Sequence, residues 1–419
     1  MPTLPILAPL RSRAVALLWG GLAFSAVGDQ FYAVALSWTA VGVFGAWAGL
    51  LTALGAGCLL VTALFVGRWA DGWDQRRAMV GADLVRACAV LGVVAAWEVT
   101  GGPSGVGLVV AVVVLGAAQA VFRPAFQAVM PGLVPVGELP AANALFDTTE
   151  RIARLVGPGL VGVLAAVLPT RHFLTADAVT FLGSALVLIG RVGVRAPLRR
   201  DGAPAGVLRG FRVVGAHPVL GVLMWVNGVA NGAWMAVIYL GLPLALERYG
   251  VTGPGGTGLG AYGLVISAYG CTNLLATLVV GSRAMPVRPA PQIFGGSVVV
   301  GVGIGLMGVV VGLPHVWVLP GLCVVAAVAA PGGPMGDVPG AVLRQTELPR
   351  DDVPAAMRAY LVVNNLGVLV GMVVAPVLFT VVGVAPGIVV CGGLMVAAGL
   401  WGLARCRGVR VGLGRGQAA

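Results

Sequence analysis

Twelve apolar stretches, each long enough to cross a lipid bilayer, follow one another between residues 14 and 404 and dominate the chain. They fall at 14–38, 42–66, 78–98, 106–129, 141–168 and 173–193, then at 217–246, 259–281, 292–312, 316–342, 354–381 and 384–404. A helix needs about 20 predominantly apolar residues to traverse roughly 30 Å of hydrocarbon, and only helices and closed barrels satisfy their backbone there. Charged residues make up 10% of the chain and hydrophobic ones 58%, with a mean hydropathy of +0.98. Soluble domains carry about 25% charge, so a soluble enzyme is excluded. The run after Met1–Arg13 is longer than the apolar core of a cleaved signal and reads as a retained first span. The expected fold is an all-α integral membrane protein with twelve transmembrane helices in two six-helix pseudo-repeats.

Arginine placement sets the expected orientation. Every one of the 26 basic residues is Arg, and most lie in alternate loops: Arg11 and Arg13, Arg68, Arg76 and Arg77, the 194–216 link, Arg283 and Arg288, Arg344 and Arg350, and the tail from Arg405. Cytoplasmic loops carry the basic excess of membrane proteins, which places both termini in the cytoplasm. The net charge of +11 is then topological, and no nucleic-acid partner is expected. The six cysteines are scattered without a CxxC; they read as packing thiols, and neither a metal site nor a cofactor is expected. The glycine run GVGIGLMG at 301–308 sits inside an apolar span and makes no nucleotide site.

The chain also repeats itself. A gapless shift of 214 lays residues 138–165 over 352–379 with eight of 28 positions identical, among them Pro140 on Pro354 and Gly157 on Gly371. The same shift puts Gly67 on Gly281. The expected division is a six-helix bundle at 1–193, a cytoplasmic linker at 194–216, a second bundle at 217–404 and a tail at 405–419. Duplicated membrane folds of this kind hold ligand near the midplane, between the repeats. Charge is unevenly inherited: Asp71 becomes Met285, and Glu150 and Arg151 become Asn364 and Asn365.

The window GRWADGWDQRRAMVGADLVRA at 67–87 carries seven charges in 21 residues. With Gly67, Ala70, Asp71 and Arg76 it resembles the loop 2–3 signature of the major facilitator superfamily; Gly72, Asp74 and Gln75 depart from the pattern. The stretch RLVGPGLVG, with Gly157, Pro158 and Gly162, resembles that family's fifth-helix antiporter motif. ADLVRA at 82–87 and the segment Arg123–Phe146 look like the branch containing macrolide and siderophore exporters. The resemblance implies a gate in which Asp71 and Arg76 latch the cytoplasmic end of the second helix. Arg68, Asp74 and Arg77 read instead as solvated loop charges.

Individual charges within spans are the remaining signals. Asp29 stands alone in helix 1, and intramembrane ionisable groups default to functional roles; burial penalises its ionised form, which suits a proton carrier. The rival reading pairs it with an arginine such as Arg123. Asp83 and Arg86, three residues apart, are placed to pair. In helix 5, Asp147–Arg151 and Glu150–Arg154 each set acid four residues before base, the favourable order. Asp337 lies in the interrupted stretch APGGPMGDVPG. Asn227, Asn231, Tyr239, Asn364 and Asn365 complete the candidate cavity, and Asp29, Glu150 and Asp337 are the candidate proton carriers. Asp177 and His172 read as groups capping the external end of span 6.

These features together give the expectation of a monomeric, multi-pass protein of the bacterial plasma membrane, exporting hydrophobic or amphiphilic small molecules in exchange for protons. A same-fold importer, a uniporter, a siderophore exporter and a non-transporting receptor are the alternatives.

Overall fold

The computed structural model describes residues 9–66, 74–135, 138–191, 207–283, 286–349 and 352–409. The described chain is helical, and it separates into two compact units: Met1–Asp201 with Pro254–Gly263, and Gly202–Gly253 with Leu264–Ala419.

The first unit holds α1 (Arg13–Phe44), α2 (Ala48–Val66), α3 (Gln75–Thr100), α4 (Gly105–Leu133), α5 (Leu139–Leu164) and α6 (Thr170–Arg191). Helix α1 packs on α5 and α6, α3 on α4 and α6, and α2 on α4. Val15, Leu18, Met79, Phe122, Met130 and Leu188 are buried between them. The outward faces are equally apolar: Val99, Val106 and Val167 are exposed, the reverse of a soluble surface. Helices apolar on every side are satisfied only within a large core or in lipid. Some helix starts are capped by a neighbouring side chain. Asp74 caps α3, accepting from the backbone of Arg76 at 3.0 Å and Arg77 at 3.2 Å, so this residue, expected to be a free loop charge, starts a helix.

The second unit holds α7 (Val207–Ala216), α8 (Pro218–Ala236), α9 (Leu242–Arg248), most of α10 (Gly258–Gly281), α11 (Ala290–Val310), α12 (His315–Ala329), α13 (Gly332–Thr346), α14 (Val353–Val381) and α15 (Val384–Cys406). Helix α7 lies inside the stretch read from sequence as linker. It packs on α14, where Arg209 meets Asp352 at 2.6 Å. Between α8 and α9 the chain takes one π-helical turn, Val237–Gly241, carrying Tyr239. Pro243 follows at once and has no N–H to give, so the wider turn absorbs the missing ladder bond.

Glycine sets the closest helix contacts. Gly228 and Gly232 on α8 face Gly367 and Gly371 on α14; a Cβ on Gly371 would stand 2.9 Å from the Gly232 Cα. Four-residue spacing of small residues lets helix backbones touch where apolar burial gives no drive. The run 301–308 does the same on α11: a Cβ on Gly301 would lie 2.8 Å from the Gly392 carbonyl of α15, and one on Gly308 would lie 2.6 Å from that of Ala385. A side chain on Gly157 of α5 would overlap Gln30 of α1, as one on its equivalent Gly371 would overlap α8.

His217 caps α8, its Nδ1 accepting from the backbone of Val219 at 3.2 Å and Leu220 at 3.1 Å. Burial pushes the imidazole below its ordinary 6.5, against the pull of Glu347. A depressed folded value means that the cap contributes fully above pH 6.5 and is lost as pH falls below it. His217→Ala should therefore lower the melting temperature at pH 8 and make a smaller difference at pH 5, checked by thermal unfolding of the purified protein.

Ten helical stretches among the described residues are long and apolar enough to cross a bilayer. One of them, Val15–Thr62, contains both α1 and α2 around the short 3-10 turn Gly45–Trp47. Helix α5 is not among them, because Asp147, Glu150, Arg151 and Arg154 crowd its 26 residues.

Candidate functional site

Two groups of charged side chains stand out in the first unit, one on the surface and one buried. On the surface, Arg123 of α4 meets Glu150 of α5 at 3.1 Å, and Arg154 approaches the same carboxylate oxygen at 3.8 Å. All three remain about half exposed. Asp29 of α1 is exposed and lies within electrostatic reach of Arg123 and Glu150 on one side and of Arg86 on the other. The rival reading paired Asp29 with Arg123; the ion pair of Arg123 is made with Glu150 instead, one helix over. Asp29 forms no ion pair among the described residues. Asp147 and Arg151 stand on α5, but their side chains fall outside the described residues.

The buried cluster is built on α3, α4 and α6. Arg86 Nη1 reaches Asp83 Oδ1 at 3.3 Å, as the three-residue spacing predicts, and its Nη2 donates to Gln119 Oε1. The guanidinium also lies over two rings, 4.9 Å from the Phe122 centroid and 5.3 Å from that of Phe181. An arginine so enclosed keeps its charge, since guanidinium is not deprotonated in proteins. Asp177 was expected to cap a helix end; it lies two turns into α6, fully buried. Gly28 makes this possible: a Cβ there would stand 2.9 Å from Asp177 Oδ1 and overlap Thr180, so only glycine lets α1 approach. Gly28 and Thr180 also line a groove of about 290 Å³ with Phe24, Phe31, His172 and Thr175.

Of the two motifs, Gly67 and Asp71 lie outside the described residues. Arg76 opens α3 and donates from Nε to the Leu188 carbonyl at 2.6 Å and from Nη2 to that of Ile189. It thus closes the C-terminal end of α6, where free carbonyls and the helix dipole favour a cation. Hydrogen bonds from a charged donor are worth about 1.5–3 kcal/mol. Arg76→Ala should lower the melting temperature of the solubilised protein by several degrees, and Arg76→Lys should recover only part, because an ammonium lacks the two-pronged geometry. In the helix-5 motif, Gly157, Pro158 and Gly162 are all buried in α5. Gly162 receives Gly263, where a Cβ would lie 3.1 Å from the Pro158 carbonyl.

In the second unit, Asn227 and Asn231 are half-buried on α8, and Tyr239 sits in the π turn. Asn364 is exposed on α14, whereas Asn365 donates back to Leu361 O at 2.8 Å in its own helix. Asp337 is exposed on α13, beyond the break that the Gly/Pro run predicts between α12 and α13. The sequence reading passed over Asn273 of α10. Its amide donates to the Ala330 carbonyl freed at that break, 3.1 Å away, and it neighbours Tyr269, whose ring lies 4.5 Å from Trp234. The open helix end was legible; the amide that satisfies it, 57 residues away, was not.

Apolar outward faces and ten helical stretches long and apolar enough to cross a bilayer, among the described residues, define a multi-pass membrane protein. The profile of the Major Facilitator Superfamily matches residues 18–296, and the chain belongs to that family. Over 188 residues it is 29% identical to the multidrug efflux pump Tap of Mycolicibacterium fortuitum, a match that takes in 42% of this chain and 46% of Tap. The chain thus spans less than half the length of that curated relative. The fold is similar to the POT family transporter PepTSo (TM-score 0.72, 10% identity, covering 94% of this chain and 98% of that one). It is also similar to a bacterial homologue of the iron transporter ferroportin in its inward-facing state (TM-score 0.71, 13% identity, 92% and 98%).

Proposed function

We propose that the chain is a proton-driven exporter of hydrophobic or amphiphilic small molecules, cationic ones above all. The observation that carries this reading is Asp29: an exposed carboxylate within a membrane helix, beside the ion-paired Arg123, Glu150 and Arg154. With Asp29 ionised, these four side chains sum to zero charge. A proton on Asp29 leaves the face at +1, which repels a cation held there; loss of the proton restores the attraction. Proton and substrate then compete for one place, the requirement for exchange in alternating access. The resemblance of part of the chain to an efflux pump supports export over import. Neutralisation of Arg123 by Glu150 weighs against an anionic cargo such as a siderophore.

The same reading takes the run Val15–Thr62 as two crossings and α5 as a further one, giving twelve, with both termini in the cytoplasm of a bacterial cell. It places the functional boundary between six-helix halves in the 194–216 stretch, treats Asp71 and Arg76 as the gate, and assigns Asp337, Asn227, Asn231, Tyr239, Asn364 and Asn365 to the second half's share of the cavity. The working unit is the monomer. Expression in an efflux-deficient bacterial host should raise resistance to lipophilic cations and lower their accumulation, and an uncoupler should abolish both effects. Unchanged susceptibility across a broad panel, with the protein present in the membrane, would overturn the proposal.

A further inference from the structure

The core of the first unit holds more acid than base. Asp83 and Asp177 are both fully buried, and Arg86 is the one cation beside them among the described residues. Arg86 satisfies Asp83 Oδ1. Both carboxylate oxygens of Asp177 have no hydrogen-bond partner among the described residues, and Asp83 Oδ2 has beside it only the neutral hydroxyl of buried Ser184 on α6. The groups facing Asp177 from its neighbours are Asp29 and Tyr32 on α1 and Asp83 and Arg86 on α3. None of these is a second cation, and the buried Tyr32 hydroxyl is itself without a partner among the described residues. Thr180 does not help either, since it donates to the Asp177 backbone carbonyl at 2.7 Å.

Two carboxylates sharing one guanidinium in a dry core cannot both ionise; one takes up a proton. Asp29 differs, because its side chain is exposed and not enclosed with Arg86. We propose that Asp83 and Asp177 share one proton around Arg86, forming a buried proton-binding site separate from Asp29. Ionisation of Asp177 requires Arg86 to leave Asp83 and turn toward α6, and the proton then passes to Asp83. The rings of Phe122 and Phe181 hold the guanidinium without fixing which carboxylate it meets, and the turn gives up its bond to Gln119. The inference concerns the protein's own protonation and stands whether or not the chain exports cations.

Infrared spectroscopy of the full-length, reconstituted protein at neutral pH tests it through the carbonyl stretch of a protonated carboxyl group. Asp177→Asn should lose one such band relative to the unsubstituted protein. Asp83→Asn should lose an equivalent band, because Arg86 is then free to neutralise an ionised Asp177. Asp29→Asn should keep the band that Asp177→Asn lacks. Arg86→Gln, which leaves two acids and no cation, should about double it. Retention of the band in both Asp177→Asn and Asp83→Asn would overturn the proposal. Loss in Asp177→Asn with retention in Asp83→Asn would also overturn it, since the proton would then belong to Asp177 alone.

Discussion

Gly367→Leu should leave little folded protein in the membrane. Gly367 sits where α14 crosses α8, and any side chain there would drive into the Gly228 backbone carbonyl. Gly371 repeats the contact one turn on, against Gly232. Backbone atoms cannot swing aside as a flexible side chain can, so the helices must separate. Separation also strips the bond from Tyr360 to the Leu220 carbonyl, 2.6 Å long, and opens the core of Leu223, Met224 and Val363. Overpacking a tight core costs about 1–3 kcal/mol even where it can relax, and the upper end corresponds to more than tenfold in folded fraction. Size-exclusion profiles of the solubilised protein check this: Gly367→Leu should shift to the void volume, whereas Gly393→Leu, with open space around its Cβ position, should elute as the unsubstituted chain does.

Asp29→Asn should abolish uphill export while leaving the fold intact. Exposure of the side chain means that no buried partner is orphaned by the change. The amide keeps the shape of the protonated acid but cannot release a proton, so the face stays in its +1 state. A loss of at least tenfold in uncoupler-sensitive efflux, about 1.4 kcal/mol of coupling, is expected, with the protein present at normal level. Glu150→Gln should act more mildly on energetics and more strongly on substrate range. It frees Arg123 and Arg154 from their shared partner and makes the face attractive to anions.

Local order was readable in the residues. Apolar runs of membrane length gave helices, the three-residue spacing gave Asp83–Arg86, the four-residue spacing gave Glu150–Arg154, and the Gly/Pro run gave the break before Gly332. Each rests on neighbours within a turn or two. What escaped depended on partners far along the chain. Arg76 is held by carbonyls 112 and 113 residues away, and the close approach of α1 to Asp177 needs Gly28, on another helix, to have no side chain. Asp74 and His217 were hidden differently, because a capping side chain looks like any polar loop residue until the helix it starts is known. The glycines at 301–308, read from the sequence as part of an apolar span and not as a nucleotide loop, serve backbone contact with α15.

The central claim is exchange of protons for an amphiphilic cation through Asp29, and transport in liposomes tests it most directly. Purified protein reconstituted into acid-inside vesicles should accumulate a permanently charged lipophilic cation above its external concentration. Accumulation should collapse when an ionophore dissipates the pH gradient, and should be absent with Asp29→Asn. Uptake that only equilibrates, or that proceeds equally in the Asp29→Asn protein, would contradict the account.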